Sequence, residues 1–368
     1  MRLVSWIAPL VPLALLPLTA CTGGERASSG ACPAGEVCSP LTPDGLYFLG
    51  NELGDSPLMN DIAPSPIAVG GTGEITLYFH DPGPSTDLIE LDLPYVADDD
   101  GGAGFAVVTT SGPVVTLRGV STGANYLRIT EPGTGELYDR YRLAGAGIDT
   151  IELVGTELEV VSPTRPRLAW ATGAQTLGVA LTGEVDIDGR TGPARLIDSS
   201  MELTLTGATR TSWDTLRLPD AAPGTYPLAV TAGDRPTLDL PVTIVAGADA
   251  IELIGTPVVP LGGAESVCFG AIAGGASVLG LAWRFDVDGA VTTHGADAVR
   301  RNCIEVEAGT RAAGATIPVT AQAGGRELAV TIEVSASSAR LGERAPRRLT
   351  STGAGERATL GAAPVQMR

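Results

Sequence analysis

Gly119-Val120-Ser121-Thr122-Gly123 satisfies G-x-S-x-G, the pattern in which a strained strand-to-helix turn lifts a nucleophilic serine toward a histidine and an acid. The surroundings argue against that chemistry. Tyr126 to Ile129 reads as a strand where the helix should be, and the only later histidine is His294, far along the chain. Ser121 is therefore read as a loop residue. Asp186 with Asp188, Asp286 with Asp288 and the run Asp98-Asp99-Asp100 gather carboxylate oxygens beside glycine, and such hard ligands suit Ca²⁺. D-x-D-G lacks the further ligands and closing Glu of a complete calcium loop, and Asp-Gly is also the residue pair of a tight hairpin turn. The hairpin reading is preferred, no metal is assigned, and the four aspartates of the two D-x-D-G motifs stay as ligand candidates. Trp213, in T-R-T-S-W-D-T-L-R-L, is the aromatic least explained by a core position and the candidate for stacking on a sugar.

What is missing narrows the chemistry further. All 24 basic residues are Arg, so mechanisms built on lysine, from phosphate-binding loops to Schiff bases, are excluded. With 42 acidic residues the formal charge is -18, which repels a phosphate backbone; no nucleic-acid partner is expected. A glycoside hydrolase would need two facing carboxylates, and nothing in the sequence marks one pair. No catalytic residue and no cofactor are assigned.

The first twenty residues carry one charge, Arg2, then an apolar stretch from Leu3 to Leu18 and the small residues Thr19 and Ala20 before Cys21. This is the layout of a secretory signal, too short and too rich in proline to favour permanent spanning. Leu18-Thr19-Ala20-Cys21 resembles the lipobox of bacterial lipoproteins. The resemblance implies cleavage before Cys21, acylation of its sulfur, and anchoring to a membrane, with the outer membrane or cell surface favoured because Thr22 stands where inner-membrane retention often uses Asp. The other four cysteines form two close pairs, Cys32 with Cys38 and Cys268 with Cys303, in a chain bound for an oxidising compartment. Two disulfides are the economical reading. Zinc competes poorly, since His80 and His294 are far apart and no C-x-x-C occurs.

Positioning elements follow from internal repetition. Ile151-Glu152-Leu153-Val154-Gly155-Thr156 returns as Ile251-Glu252-Leu253-Ile254-Gly255-Thr256, and Asp186-Ile187-Asp188-Gly189 returns as Asp286-Val287-Asp288-Gly289. Tyr126 and Tyr226 keep the same offset, and a third copy of the hairpin that follows them starts near Ile317, about ten residues early. Within each repeat apolar residues alternate over short runs broken by Gly (48 in all) and Pro (27), the period of half-buried strands rather than helices. Seven or so short strands per repeat predict an all-β fold of tandem β-sandwiches. Cys268, Trp283 and Cys303 follow the Cys-Trp-Cys order of immunoglobulin domains, and residues 57 to 337 resemble bacterial immunoglobulin-like (Ig-like) domains. The resemblance implies one sulfur on each sheet with the indole against the bridge, and tyrosine corners at Tyr126 and Tyr226. At the fixed offset, Leu168 and Leu203 take the places of Cys268 and Cys303.

The expected organisation is a signal peptide (1–20), a flexible tether (21–31), a small Cys-stapled segment (32–56), Ig-like domains at 57–146, 147–246 and 247–337, and a basic tail (338–368) with six Arg against two Glu. The layout is similar to that of Ig-repeat surface lipoproteins of Gram-negative bacteria. It implies a lipid-anchored, non-catalytic envelope protein acting as a stalk, adhesion element or interaction scaffold. Its partners would be the membrane, through lipid at Cys21, and an envelope protein or polysaccharide. The alternatives are a Ca²⁺- or glycan-binding surface module and an envelope hydrolase using unmarked carboxylates.

Overall fold

The computed structural model describes residues 36–42, 45–50, 65–80, 88–155, 159–173, 175–187, 190–218, 220–294 and 301–338. The signal segment, Cys21, the tether, Cys32, Asp188 and the tail beyond Ser338 lie outside the described residues. Every element among the described residues is a strand, and the strands form three β-sandwiches in series. None of the described residues form a helix long and apolar enough to cross a membrane.

The first sandwich contains β1 (Tyr47–Gly50), β2 (Ile67–Ala68), β3 (Thr72–His80), β4 (Leu88–Glu90), β5 (Val96–Asp99), β6 (Phe105–Ser111), β7 (Val114–Gly119), β8 (Gly123–Thr130) and β9 (Leu137–Ala146). The second contains β10 (Thr150–Gly155), β11 (Leu168–Ala171), β12 (Gln175–Ile187), β13 (Arg190–Leu196), β14 (Glu202–Thr204), β15 (Thr209–Ser212), β16 (Thr215–Leu218), β17 (Gly224–Thr231) and β18 (Leu238–Val245). The third contains β19 (Ala250–Ile254), β20 (Val259–Leu261), β21 (Ala264–Ala273), β22 (Ala276–Leu279), β23 (Trp283–Val287), β24 (Ala290–His294), β25 (Cys303–Glu307), β26 (Thr316–Ala323) and β27 (Arg326–Ser338).

Pairing follows one plan. The opening strand of each set (β1, β10, β19) runs antiparallel to its third (β3, β12, β21), and the second strand (β2, β11, β20) crosses to run parallel to the last (β9, β18, β27). Strict alternation fills each core: Leu177, Val179 and Leu181 on β12 are fully buried, as are Leu127 and Ile129 on β8. At about 1.5–3 kcal/mol for each large apolar side chain fully buried, these stripes hold the two layers of a sandwich together. The third sandwich departs at one strand, since β24 pairs with β23 whereas its counterparts β6 and β15 pair with β7 and β16.

Three expectations are corrected. Residues 46–50, assigned with the stapled segment 32–56, belong to the first core: Leu46 and Phe48 are fully buried, and Phe48 stacks on Tyr141 at 5.2 Å. Cys268 and Cys303 do bond, but on neighbouring strands of one sheet, directly opposed in register with Cα atoms 4.0 Å apart. Phe269 N–H donates to Asn302 O beside them, so the bonded cysteines occupy the close, non-hydrogen-bonded kind of antiparallel pair, where a bridge fits without crossing the core. Trp283 lies on the other sheet and stacks on Phe285. Finally, the offset of 100 slips: Ile151 opposes Leu181 while Ile251 opposes Ala271. The counterparts of Cys268 and Cys303 are therefore Gly178 and Thr215, which oppose each other in the second sandwich, and not Leu168 and Leu203.

Candidate functional site

The residues singled out from sequence remain dispersed. Ser121 sits in the turn between β7 and β8, its Oγ accepts the Gly104 N–H at 3.1 Å, and a strand follows directly. The turn leads from one strand into another, where the nucleophile elbow would lead from a strand into a helix. Asp186 and Asp286, aligned by sequence, fall on different hairpins, β12–β13 and β23–β24. Asp288 and Gly289 both have positive φ (50° and 88°) between paired Val287 and Ala290, the conformation of a two-residue type I′ turn. Asp286 accepts the Gly289 N–H, and Asp288 forms an ion pair with Arg311. Arg128 reaches Glu36, Asp98 and Asp100 at 3.2, 3.9 and 3.3 Å, so an arginine occupies the cation position of the acidic run. Among the described residues no three His, Cys, Asp or Glu side chains cluster as metal ligands.

Trp213, in the turn between β15 and β16, is half-buried against the second core, and its carbonyl accepts from Arg210. It is not a free stacking platform. Tyr226 donates to Ala222 O four residues upstream at 2.8 Å, as a tyrosine corner does. Tyr126 differs: Arg140 and Arg142 stand over its ring, at 4.5 and 5.5 Å from the centroid. Cys38 is disulfide-bonded, and its partner lies outside the described residues.

The polar groups that are built into the structure meet at the joints between sandwiches. β2 pairs with β9 on one edge and, on the other, Ala68 N–H donates to Ile197 O and Ile197 N–H to Pro66 O. β11 repeats the device on a larger scale, pairing with β18 on one edge and in parallel with β22 on the other, Leu168 to Ser277 through Trp170 to Leu279. A sheet of the second sandwich thus continues into the third, while the first sandwich is tied to the second by an isolated bridge. The linkers are clipped as well. Asp149 donates its N–H to Thr182 O and accepts the Glu184 N–H, and Asp249 does the same with Ile272 O and the Gly274 N–H. Arg235 then caps Asp149 O and Arg326 caps Ala248 O.

At the first joint Asp198 is fully buried and accepts the N–H groups of Thr72 (3.1 Å), Ser200 (3.0 Å) and Gly233 (2.6 Å). Close approach explains the glycines there. A Cβ on Gly233, whose φ is +56°, would meet Val69 O at 2.4 Å, and one on Gly71 would meet the Asp198 carboxyl at 2.5 Å.

The second joint holds the more unusual group. Glu159, 6 % exposed, accepts the Gly280 N–H at 2.6 Å, while its other oxygen has no hydrogen-bond partner among the described residues. Burial pushes its carboxyl up to about 7, against the lowering effects of the Gly280 N–H, Arg301 and the nearby Trp283 indole. Neither the Trp170 nor the Trp283 N–H completes a hydrogen bond. Next to Glu159, Asn302 bonds both backbone groups of Val160 and also Phe269 O. Nothing in the sequence marked Glu159 or Asn302, because neither lies in a motif that repeats. The linker aspartates could have been found, since Ala146-Gly147-Ile148-Asp149 returns as Ala246-Gly247-Ala248-Asp249.

No family model matches the sequence, and no curated protein matches it. Among solved structures, the chain is similar to the Escherichia coli adhesin FdeC (15 % identity, 74 % of this chain and 95 % of that one, TM-score 0.21). Fibronectin(III)-like modules of Clostridium thermocellum CbhA also match (18 %, 53 % and 98 %, 0.19). A third match is a glucan-utilization-locus protein of Bacteroides ovatus, SGBP-B, in complex with a mixed-linkage heptasaccharide (13 %, 79 % and 70 %, 0.24). The chain's own strand pairing gives the same class, tandem Ig-like β-sandwich domains.

Proposed function

We propose that this chain is a lipid-anchored, non-catalytic stalk or scaffold of the bacterial envelope, carried on the membrane through Cys21 and presenting its sandwiches to an envelope protein or polysaccharide. The observation that supports the reading is the joint device: β2 and β11 each pair on both edges, so consecutive sandwiches share sheet hydrogen bonds instead of hanging on free linkers. An array joined this way transmits force and holds a fixed reach, which a tether-mounted spacer or adhesion element needs. The use of Asp286 in a turn and of Asp288 in an ion pair speaks against the calcium-module alternative.

Two experiments on intact cells test the reading. A Cys21→Ser variant should leave the membrane fraction, and its retention there would remove the lipid anchor. A photoreactive residue scanned over exposed loops of the second and third sandwiches should give a recurrent adduct to one envelope protein or glycan. Adducts to bulk lipid alone would reduce the protein to a spacer.

A further inference from the structure

Residues 159 and 160 form a strap across the second joint, fixed to the third sandwich at two points. Asn302 grips Val160 through neutral amide bonds at 2.9 and 2.7 Å. Glu159 grips Gly280, which closes the turn after β22, and Gln175 of β12 holds the Gly280 carbonyl from the other side at 3.2 Å. The carboxyl is walled by Trp170 on β11, Gln175 and Thr176 on β12, Leu279 at the end of β22, Gly280 after it, Trp283 on β23 and Arg301 before β25. The void beside it is about 10 Å³, room for roughly one water. A carboxylate needs several hydrogen-bond donors to replace its hydration, yet one Glu159 oxygen has a single backbone donor and the other has none. The neutral acid fits this wall better than the charged form, for which Arg301 is the one nearby cation among the described residues.

We propose that Glu159 makes the joint between the second and third sandwiches proton-sensitive, clasping it as the neutral acid and loosening it as the carboxylate. Among the described residues, Arg301 is the charged group whose attraction opposes the effect, and burial outweighs it. The direction follows from linkage. A carboxyl whose value is about 7 in the closed joint and the usual 4.5 in solvent binds a proton on closing, so the clasp is strongest below about 4.5. It weakens as pH rises through 7 and is level above that. Acidification therefore stiffens this joint, whereas the Asn302 grip is a neutral amide that carries no proton to lose.

Amide exchange at Gly280 reads the clasp in the whole protein. Corrected for intrinsic base-catalysed exchange, Gly280 protection should fall by roughly tenfold per pH unit between 4.5 and 7 in the wild type. In Glu159→Gln, which keeps a neutral acceptor, it should stay level. Parallel profiles in the two proteins would overturn the proposal. If Glu159→Gln fails to fold, the side-chain carboxyl of Glu159 is titrated by carbon NMR in the wild type. A midpoint near 7 supports the clasp, and one in the ordinary carboxyl range near 4.5 overturns it.

Discussion

Asn302 holds Val160 by both of its backbone groups, accepting the N–H at 2.9 Å and donating to the carbonyl at 2.7 Å, across 142 residues of sequence and two sandwiches. The same side chain donates to Phe269 O at 2.8 Å and is 3 % exposed, so its amide closes three bonds that water does not replace. An asparagine beside the Cys268–Cys303 bridge has thereby become the fastener of a joint, and the bridge stiffens the strand pair from which it reaches out. Truncation at this position removes three hydrogen bonds, two to the part-buried Val160 backbone and one to the buried Phe269 carbonyl. Asn302→Ala should lower stability by about 2–4 kcal/mol, measured by denaturant unfolding. A loss under about 1 kcal/mol would mean that the strap does not depend on this residue.

Asp198 plays the corresponding part at the first joint. Its oxygens accept from Thr72 and Gly233, which lie on different sandwiches, and Asn in its place would turn an N–H₂ group toward one of those donors. Asp198→Asn should therefore cost about as much as Asp198→Ala, roughly 2–4 kcal/mol, although it preserves shape. Near-neutral behaviour of the Asn variant in thermal melts would show that charge and acceptor geometry are not what the joint needs.

The cross-strand bridge closes a separation of 35 residues between Cys268 and Cys303. In the chain-entropy account such a loop contributes roughly 3–4 kcal/mol, all of it to the third sandwich. The double Ser variant should melt in two steps, the third sandwich first, while the first two keep their transition. Calorimetry distinguishes this from a uniform downward shift, which would indicate that the joints couple the three units into one cooperative block.

The fold class was legible because strand alternation is local: stripes such as Leu177, Val179 and Leu181 recur every second residue whatever lies outside the segment. The repeat was legible for the same reason, but only where it starts. Between the first and third strands of the set the spacing shortens by about ten residues, and a fixed offset carried past that point put Leu168 where Gly178 belongs and joined Asp186 to Asp286 across different hairpins. Cys-Trp-Cys order predicted a bond, correctly, and its place in the fold, incorrectly, since order along the chain does not say which sheet a strand joins. Glu159 and Asn302 were silent because their partners are 121 and 142 residues distant. A lone Glu or Asn carries no periodicity by which to be noticed.

Calcium provides a clean contrast with the proton. Asp98 and Asp100 already face Arg128, Asp288 faces Arg311, and Asp286 is spent on the Gly289 N–H. A divalent ion would have to displace a guanidinium or break a turn to bind there. Millimolar Ca²⁺ or EDTA should move the melting temperature by less than about 1 °C, since a ligand at free concentration L raises stability by RT ln(1 + L/Kd) only where the folded state binds it. A rise of several degrees would restore the ion as a joint-stiffening ligand and identify the aspartates as its site.

The stiffness of the array itself is open to a geometric test. β18 ends at Val245 and β19 begins at Ala250, and within that gap Asp249 is bonded to both Ile272 and Gly274 while Arg326 caps Ala248. Three residues, Gly-Ser-Gly, inserted between Ala246 and Gly247 would leave each sandwich whole yet remove the register in which Trp170 opposes Leu279. The inserted protein should keep its strand content by circular dichroism while small-angle scattering passes from one inter-domain arrangement to a broad distribution. Exchange at Ser277, whose N–H donates to Arg167 O across the joint, should accelerate at least tenfold. If scattering and exchange are unchanged by the insertion, shared sheet edges are not what fixes one sandwich on the next, and the stalk reading loses the observation on which it stands.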